Sequence, residues 1–314
     1  MLWMLIGFSL ACYAVIGNDS IQTIGTFLSS NRKRPWWVLW SYLGAILAAV
    51  LIYGWVVNSG DVSYGRLSKI PMNQAVQWWH TLPILVLLFL TRFGIPVSTT
   101  FMALSIFTGS VVLQKIITKS LFGYGIAFAA TAIIWLFIYN FEKRVLSEKD
   151  DDKEPHGLWI AAQWLSTGFL WMQWLMQDLA NIYVFVPRQV PAWLLASSLV
   201  WLLALLAFLI REKGGKIQEI VLVKTNTLDI RSATLIDLSY GLILFYFKNL
   251  NSLPMSTTWV FLGTLAGREM MLSIMMKHKT KSATTADVLT DLGKATLGLV
   301  ISVGLALCGK YLFS

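Results

Sequence analysis

The stretch "GIPVSTTFM" (94–102) lies inside an apolar run, and "SLPMSTTWV" (252–260) repeats it about half a chain later. Proline, serine and two threonines in tandem are out of place in a lipid-facing helix, and their duplication asks for one common explanation. Proline is tolerated in the first turn of a helix, and serine or threonine is a favoured cap. A P-x-S-T-T at a break in a membrane segment therefore starts a half-helix inside the bilayer, with its free N–H groups and positive dipole end aimed at the middle. The hydroxyls of Ser98, Thr99 and Thr100 and of Ser256, Thr257 and Thr258 add donors around the same point. Two such termini suit a tetrahedral oxyanion, which presents many acceptors. For a lone S-T-T, hydroxyls bonding back to helix carbonyls would be the simpler reading; the duplication favours the half-helix.

The surroundings are those of a membrane chain. Charged residues make up only 13% of it, about half the share usual in soluble domains. Uncharged runs at 36–57, 121–140 and 189–210 are long enough to cross a bilayer, and 295–314 carries one charge near its end. The N-terminal run has no basic leader and no small-x-small cleavage site, so it reads as the first span. The tryptophans, as in the pairs at 36–37 and 78–79, are expected at the membrane interface. Cys12 and Cys308 fall in apolar runs and read as small core residues. The net charge of +9 is scattered over short loops, which points to membrane topology and not to nucleic acid.

The chain reads as two halves with one plan. Residues 1–31 carry one charge, Asp19, and residues 157–187 carry one, Asp178. Each run then meets a basic residue and a proline, "RKRP" (32–35) and "RQVP" (188–191), followed by an uncharged span. From Asp19 to Pro96 is 77 positions, and from Asp178 to Pro254 is 76. Such matched offsets indicate an internal duplication. The expected organisation is a first inverted repeat over 1–141, a charged cytoplasmic linker over 142–156 and a second inverted repeat over 157–314. If each S-T-T segment enters the membrane and returns, "RKR" (32–34), the linker, "REKGGK" (211–216) and "KHKTK" (277–281) share one face. Arg66, Lys69, Lys115, Lys119 and Arg188 mark the other. The richer face should be cytoplasmic, which puts both termini outside and makes the halves inverted. The expected class is an all-α polytopic membrane protein with broken or re-entrant helices.

An aspartate inside a membrane segment costs roughly 2.5–3.5 kcal/mol on insertion scales, so a retained one points to function. Both copies have amide neighbours, in "GNDSIQ" (17–22) and "QDLAN" (177–181). A helix broken at the aspartate would expose carbonyls, and carboxylate, amide and carbonyl oxygens together suit Na⁺ or a proton-coupled site. The structural alternative is a carboxylate paired with a buried Arg or Lys.

These motifs resemble a known family. "GNDSIQTIG" and "QDLAN" are similar to the G-A-N-D-x-A-N signatures of the inorganic phosphate transporter (PiT) family, and "RFGIPVSTT" and "LPMSTT" to its P-x-S-T-T-H signatures. Motif order and duplication extend the resemblance over essentially the whole chain. It implies a secondary transporter of inorganic phosphate with Na⁺ or H⁺, some members moving sulfate. It further implies that Asn18, Asp19, Gln22, Gln177, Asp178 and Asn181 serve as cation and substrate ligands, with Asp19 and Asp178 on any Na⁺. Ser98, Thr99, Thr100, Ser256, Thr257 and Thr258 become the anion cradle. The family's His after S-T-T is Phe101 in one copy and Trp259 in the other, Gln22 and Gln177 stand where the family has Asn, and the chain is short for the family.

No resident cofactor is expected. The expected partners are phosphate or a similar oxyanion, lipid and, in a homodimer, a second copy; the expected setting is a bacterial inner or plasma membrane. Arg92, four residues before the first break, either helps neutralise an anion or reaches an interface. Arg268 and Glu269 are adjacent and so are expected to find separate partners or to sit at the membrane boundary, with a gating role as the functional alternative. Asp237 has no counterpart in the first half and is expected to be paired structurally. A membrane enzyme is disfavoured, because the histidines lie in or beside loops and no H-E-x-x-H, G-x-S-x-G or phosphate loop occurs. A scaffold or sensor derived from the same fold is the remaining alternative.

Overall fold

A computed structural model describes residues 1–70, 72, 75–93, 95, 97–145, 157–213, 230–250, 252–276 and 281–313. Pro96, the 146–156 part of the linker, 214–216 and 277–280 of the basic stretches, and with them His156 and His278, lie outside the described residues.

The described residues form helices without strands. In the first half α1 (Leu2–Ala14) passes through a π-turn (Val15–Asp19) into α2 (Ile21–Ser30), followed by α3 (Trp36–Val57). A loop and a short 3₁₀ turn (Trp78–Thr81) lead to α4 (Leu82–Arg92), α5 (Thr99–Ser105) and α6 (Ser110–Val145). The second half runs α7 (Gly157–Tyr183), α8 (Ala192–Arg211), α9 (Ile230–Leu250), α10 (Thr257–Met276) and α11 (Lys281–Phe313). The order is the same in both: an Asp-bearing helix, a proline-led helix, a helix–break–helix hairpin and a long final helix. Pro35 and Pro191 sit at the N-caps of α3 and α8, where a proline can begin a helix but not lie within one.

Five helical stretches among the described residues are long and apolar enough to cross a membrane: Leu2–Asp19, Trp36–Val57, Ser110–Phe137, Ala192–Arg211 and Ser282–Gly309. α7 is long but carries buried Gln163, Gln173, Gln177, Asp178 and Asn181, and it is buried at every position from Gln173 to Tyr183. The two hairpins also differ. α4 and α5 have 11 and 7 residues, too short to cross at about 1.5 Å per residue, as re-entry requires. α9 and α10 have 21 and 20 residues, so each arm of the second hairpin is as long as a crossing.

The halves interlock. α3 packs on α8, α6 on α10, and α11 on α5, so each final helix covers the S-T-T helix of the other half. Indole N–H groups tie backbones across the halves: Trp40 Nε1 donates to Leu203 O at 3.0 Å, Trp171 Nε1 to Leu43 O at 3.0 Å and Trp55 Nε1 to Val190 O at 2.7 Å. Trp36, Trp37 and Trp78 are exposed, in keeping with interfacial anchors, but Trp171 and Trp174 are fully buried and stack at 5.1 Å. Interfacial anchoring therefore does not describe the tryptophans as a group. An indole buried in the core fills large volume and still donates one bond.

Arg188 fastens the loop of the first half to the end of α7. Its Nε and Nη2 donate to Ile70 O at 3.1 and 2.8 Å, and its Nη1 donates to Val184 O and Val186 O, each at 3.1 Å. Arg188→Ala should cost about 2 kcal/mol, the scale of hydrogen bonds to a charged group. Thermal unfolding in detergent reads this, and Arg188→Lys should recover only part of the loss, because an ammonium cannot reproduce the planar fork.

Candidate functional site

Both S-T-T motifs begin a helix after a break. Ser98 caps α5 and Ser256 caps α10, each Oγ accepting from the backbone N–H three residues on, Phe101 or Trp259, at 3.3 Å. The threonines lie in the first turn, all buried. The breaks meet across the halves: Thr100 Oγ1 donates to Met255 O at 3.3 Å, and the Phe101 and Trp259 rings pack edge to face at 6.2 Å. Where the family resemblance leads one to look for histidines, the structure has an aromatic pair joining the two hairpins.

The two aspartates come to the same place by different local routes. Asp19 ends a π-turn in which Ser20 N–H donates to Val15 O, five residues back, at 3.0 Å. Such a turn inserts one residue into the helix and is frequent at functional sites. α7 runs unbroken through Asp178 and ends five residues later, at Tyr183. The expected break at the aspartate thus becomes a bulge in the first half and is absent in the second. Packing supplies the physical reason: α7 is enclosed by protein through its last turns, so its backbone can stay helical while its side chains form the site.

Each aspartate lies beside one S-T-T motif, Asp19 by the Thr99 hydroxyl and Asp178 by that of Thr257. Asn181 Nδ2 donates to Asp178 Oδ1 at 2.7 Å and to Thr100 Oγ1 at 3.2 Å, joining the acid of one half to the hydroxyl of the other. Tyr240, fully buried on α9, donates to Thr257 O at 3.1 Å. Asn18 Nδ2 reaches Thr91 Oγ1 at 3.3 Å, and Gln177 Nε2 reaches Leu244 O at 3.1 Å.

The unpartnered atoms are the most informative feature. Asp19 Oδ2, Gln22 Oε1, Thr23 Oγ1, Thr99 Oγ1, Gln177 Oε1, Asp178 Oδ2 and Asn181 Oδ1 are buried without a hydrogen-bond partner. Buried polar groups are ordinarily satisfied. These seven belong to the paired signatures or, in Thr23, to the helix turn beside one, and all seven are oxygens; Thr131 Oγ1 and the indole nitrogens of Trp135, Trp164 and Trp174 are also buried without a partner, outside the signatures. An oxygen set of carboxylates, amides and hydroxyls is what a hard cation such as Na⁺ takes. The residues present therefore fit a transported cation.

Other expected residues fall elsewhere. Arg92 is exposed at the end of α4, outside the buried cluster. Arg268 and Glu269, expected to have separate partners, pair with each other: Nη1 to Oε1 is 2.7 Å, and the guanidinium also covers Trp135 at 5.1 Å. Long flexible side chains curl back where the backbone geometry of neighbouring positions diverges. Asp237 is buried and held by hydroxyls, not by a cation, accepting from Thr26 Oγ1 at 2.6 Å and from Thr167.

Sequence reasoning missed Arg66, Lys119, Ser120 and Tyr240. In the sequence Arg66 and Lys119 read as loop charges marking a membrane face, but they are only 2% and 8% exposed. The loop folds inward because the Asp61 carboxylate accepts from Ser63 N and Gly65 N at 2.7 and 2.8 Å, and Gly65 takes φ +72. Lys119, within the run "KIITKSLFGYG" (115–125), was legible as an intramembrane charge; Arg66 had no such signal.

No protein-family model matches the chain, and no curated protein matches it in sequence. Among solved structures it is similar to a sodium-dependent phosphate transporter, with a TM-score of 0.62 and 16% identity over 99% of this chain and 100% of that one. The likeness is one of fold. With the apolar helices it establishes an all-α polytopic integral membrane protein of the PiT-like fold.

Proposed function

We propose that this protein is a cation-coupled symporter of inorganic phosphate that works by alternating access of its two halves. One observation carries the reading: the two Asp–threonine pairs, from opposite halves, belong to one buried cluster in which the signature residues leave seven side-chain oxygens, counting Thr23 and Thr99, without a partner. A cation held by Asp19, Asp178 and their amide neighbours would supply the positive charge that lets an oxyanion sit against the first turn of α10 and the four threonine hydroxyls. The fold neighbour is a sodium-dependent phosphate transporter, which supports phosphate as the anion and Na⁺ as the cation. In this reading the halves are inverted and pivot around the cluster, the richer basic face is cytoplasmic and both termini lie outside. Asn18 and Gln22 line the first half of the site.

Uptake into proteoliposomes between about pH 6 and 8, with and without a Na⁺ gradient, tests the proposal. Phosphate changes charge near neutral pH and sulfate does not, so a pH-dependent apparent affinity marks phosphate, and a flat one with sulfate accumulation marks the runner-up. Accumulation driven by a pH gradient alone would assign H⁺ in place of Na⁺. If neither anion accumulates under any cation gradient, the assignment is lost.

A further inference from the structure

The hairpin between α9 and α10 is approached by two buried basic side chains, Arg66 and Lys119. Arg66, on the inward-folded loop, donates from Nε to Met176 O at 2.9 Å and from Nη1 to Leu253 O at 3.5 Å. Lys119, on α6, donates from Nζ to the same Leu253 O at 2.7 Å. The next residue, Ser120, accepts from Ser256 N at 2.9 Å, so this part of α6 clamps the break on both sides. Leu253 lies three residues before the cap of α10, a helix of 20 residues whose first N–H groups add to the positive field.

The Leu253 carbonyl at the break accepts from both buried basic side chains. Arg66 Nη2 donates to no protein group among the described residues. The two cations are close enough to repel each other, and Lys69, which is exposed, and half-buried Lys248 add to the field. The carboxylate that opposes Arg66 is Asp178. Burial lowers the Arg66 guanidinium to about 10, with Asp178 opposing the fall, so it stays charged at neutral pH. Like charges gathered in a buried place are costly unless an anion joins them. The first break has no such group: the other buried cation among the described residues is Arg268, which is paired with Glu269.

We propose that Arg66 and Lys119 form the charge subsite for the oxyanion, binding its oxygens at the break before α10, so that the second half of the cluster carries the anion's charge. This rests on the transport reading above and deepens it. A planar guanidinium edge matches two oxygens of a tetrahedral oxyanion, and an ammonium adds a compact point charge. The subsite makes the cluster asymmetric. Asp178 has Arg66 as a charged neighbour, whereas the neighbour of the matched acid Asp19 is the Thr99 hydroxyl.

Equilibrium binding of radiolabelled inorganic phosphate to the full-length protein in nanodiscs, over a range of Na⁺, tests this. Arg66→Gln and Lys119→Gln should each weaken phosphate binding by roughly 10- to 100-fold, the scale of losing one charge-assisted bond. The Na⁺ concentration for half-maximal effect should not rise in Arg66→Gln, because losing the guanidinium near Asp178 leaves that carboxylate more available to the cation. Arg66→Lys should restore part of the affinity. Thermal unfolding without anion controls for folding, and Lys119→Gln leaves both Arg66 bonds intact should Arg66→Gln prove unstable. Folded variants that bind phosphate as tightly as the parent would overturn the subsite alone. So would variants in which phosphate and Na⁺ affinities fall in equal proportion, since that marks a structural role. A parent protein that binds neither phosphate nor sulfate would overturn the subsite and the transport reading together.

Discussion

Asp19→Asn should abolish Na⁺-stimulated anion uptake in proteoliposomes while the protein still folds and inserts. The two side chains have nearly the same shape, so the π-turn and the neighbouring Thr99 keep their places, and only the charge is lost. A carboxylate contributes to a bound cation about 2–3 kcal/mol more than a neutral oxygen does on the scale of charge-assisted bonds. That corresponds to a roughly 30- to 150-fold rise in the Na⁺ concentration needed. Removing a buried charge also lessens an insertion cost of roughly 2.5–3.5 kcal/mol, so thermal stability should hold or rise. Asp178→Asn should lose coupling as well. Its Oδ1 can still accept from Asn181, which keeps that variant folded. Both variants taking up anion with the parent's Na⁺ dependence would remove the cation site. Uptake lost together with the folded protein would mark the aspartates as structural.

Gly267→Leu should be the most destabilising single change on α10. A Cβ at Gly263 or Gly267 would fall inside van der Waals contact of Tyr124 O and Phe128 O on α6. The two glycines are four residues apart on one face, and small residues at this spacing let two membrane helices bring their backbones together. The obstacle is backbone and cannot swing aside, so the helices must separate. Overpacking of this kind costs about 1–3 kcal/mol, and leucine belongs at the upper end. Function should fall further than stability, because α6 and α10 also carry the Ser120–Ser256 bond that fixes the second break. Gly125→Ala, on α6 with open space around it, is the control and should be neutral or stabilising by about 0.5–1 kcal/mol. If Gly267→Leu unfolds at the parent's temperature, the close approach of the two helices is wrong.

How legible each residue was followed from what kind of signal it gave. The S-T-T caps stood out because a cap is a local device: Ser98 and Ser256 close on amides three residues away, and the residue types alone announce it. The aspartates stood out because charge is rare in an apolar run. The fate of the backbone at each aspartate was not legible, since a π-turn at Asp19 and an unbroken α7 at Asp178 depend on what encloses each helix. Arg268 with Glu269 was misjudged, and the partners of Asp237, expected to be paired structurally, were not named, because pairing is settled by side-chain reach and by partners distant in the chain.

The order of residues by itself determined a helical membrane protein, with two proline-led S-T-T motifs and two isolated acids at matched offsets. Hydropathy, proline geometry and helix capping act over a few residues, so they are written locally. Only the tertiary structure decided that each final helix covers the other half's break, that Asn181 joins Asp178 to Thr100, and that Arg66 turns inward onto Leu253. Those choices belong to contacts between residues from about 80 to nearly 190 positions apart. They are set by which surfaces fit when the halves interlock, and no local stretch of chain encodes that.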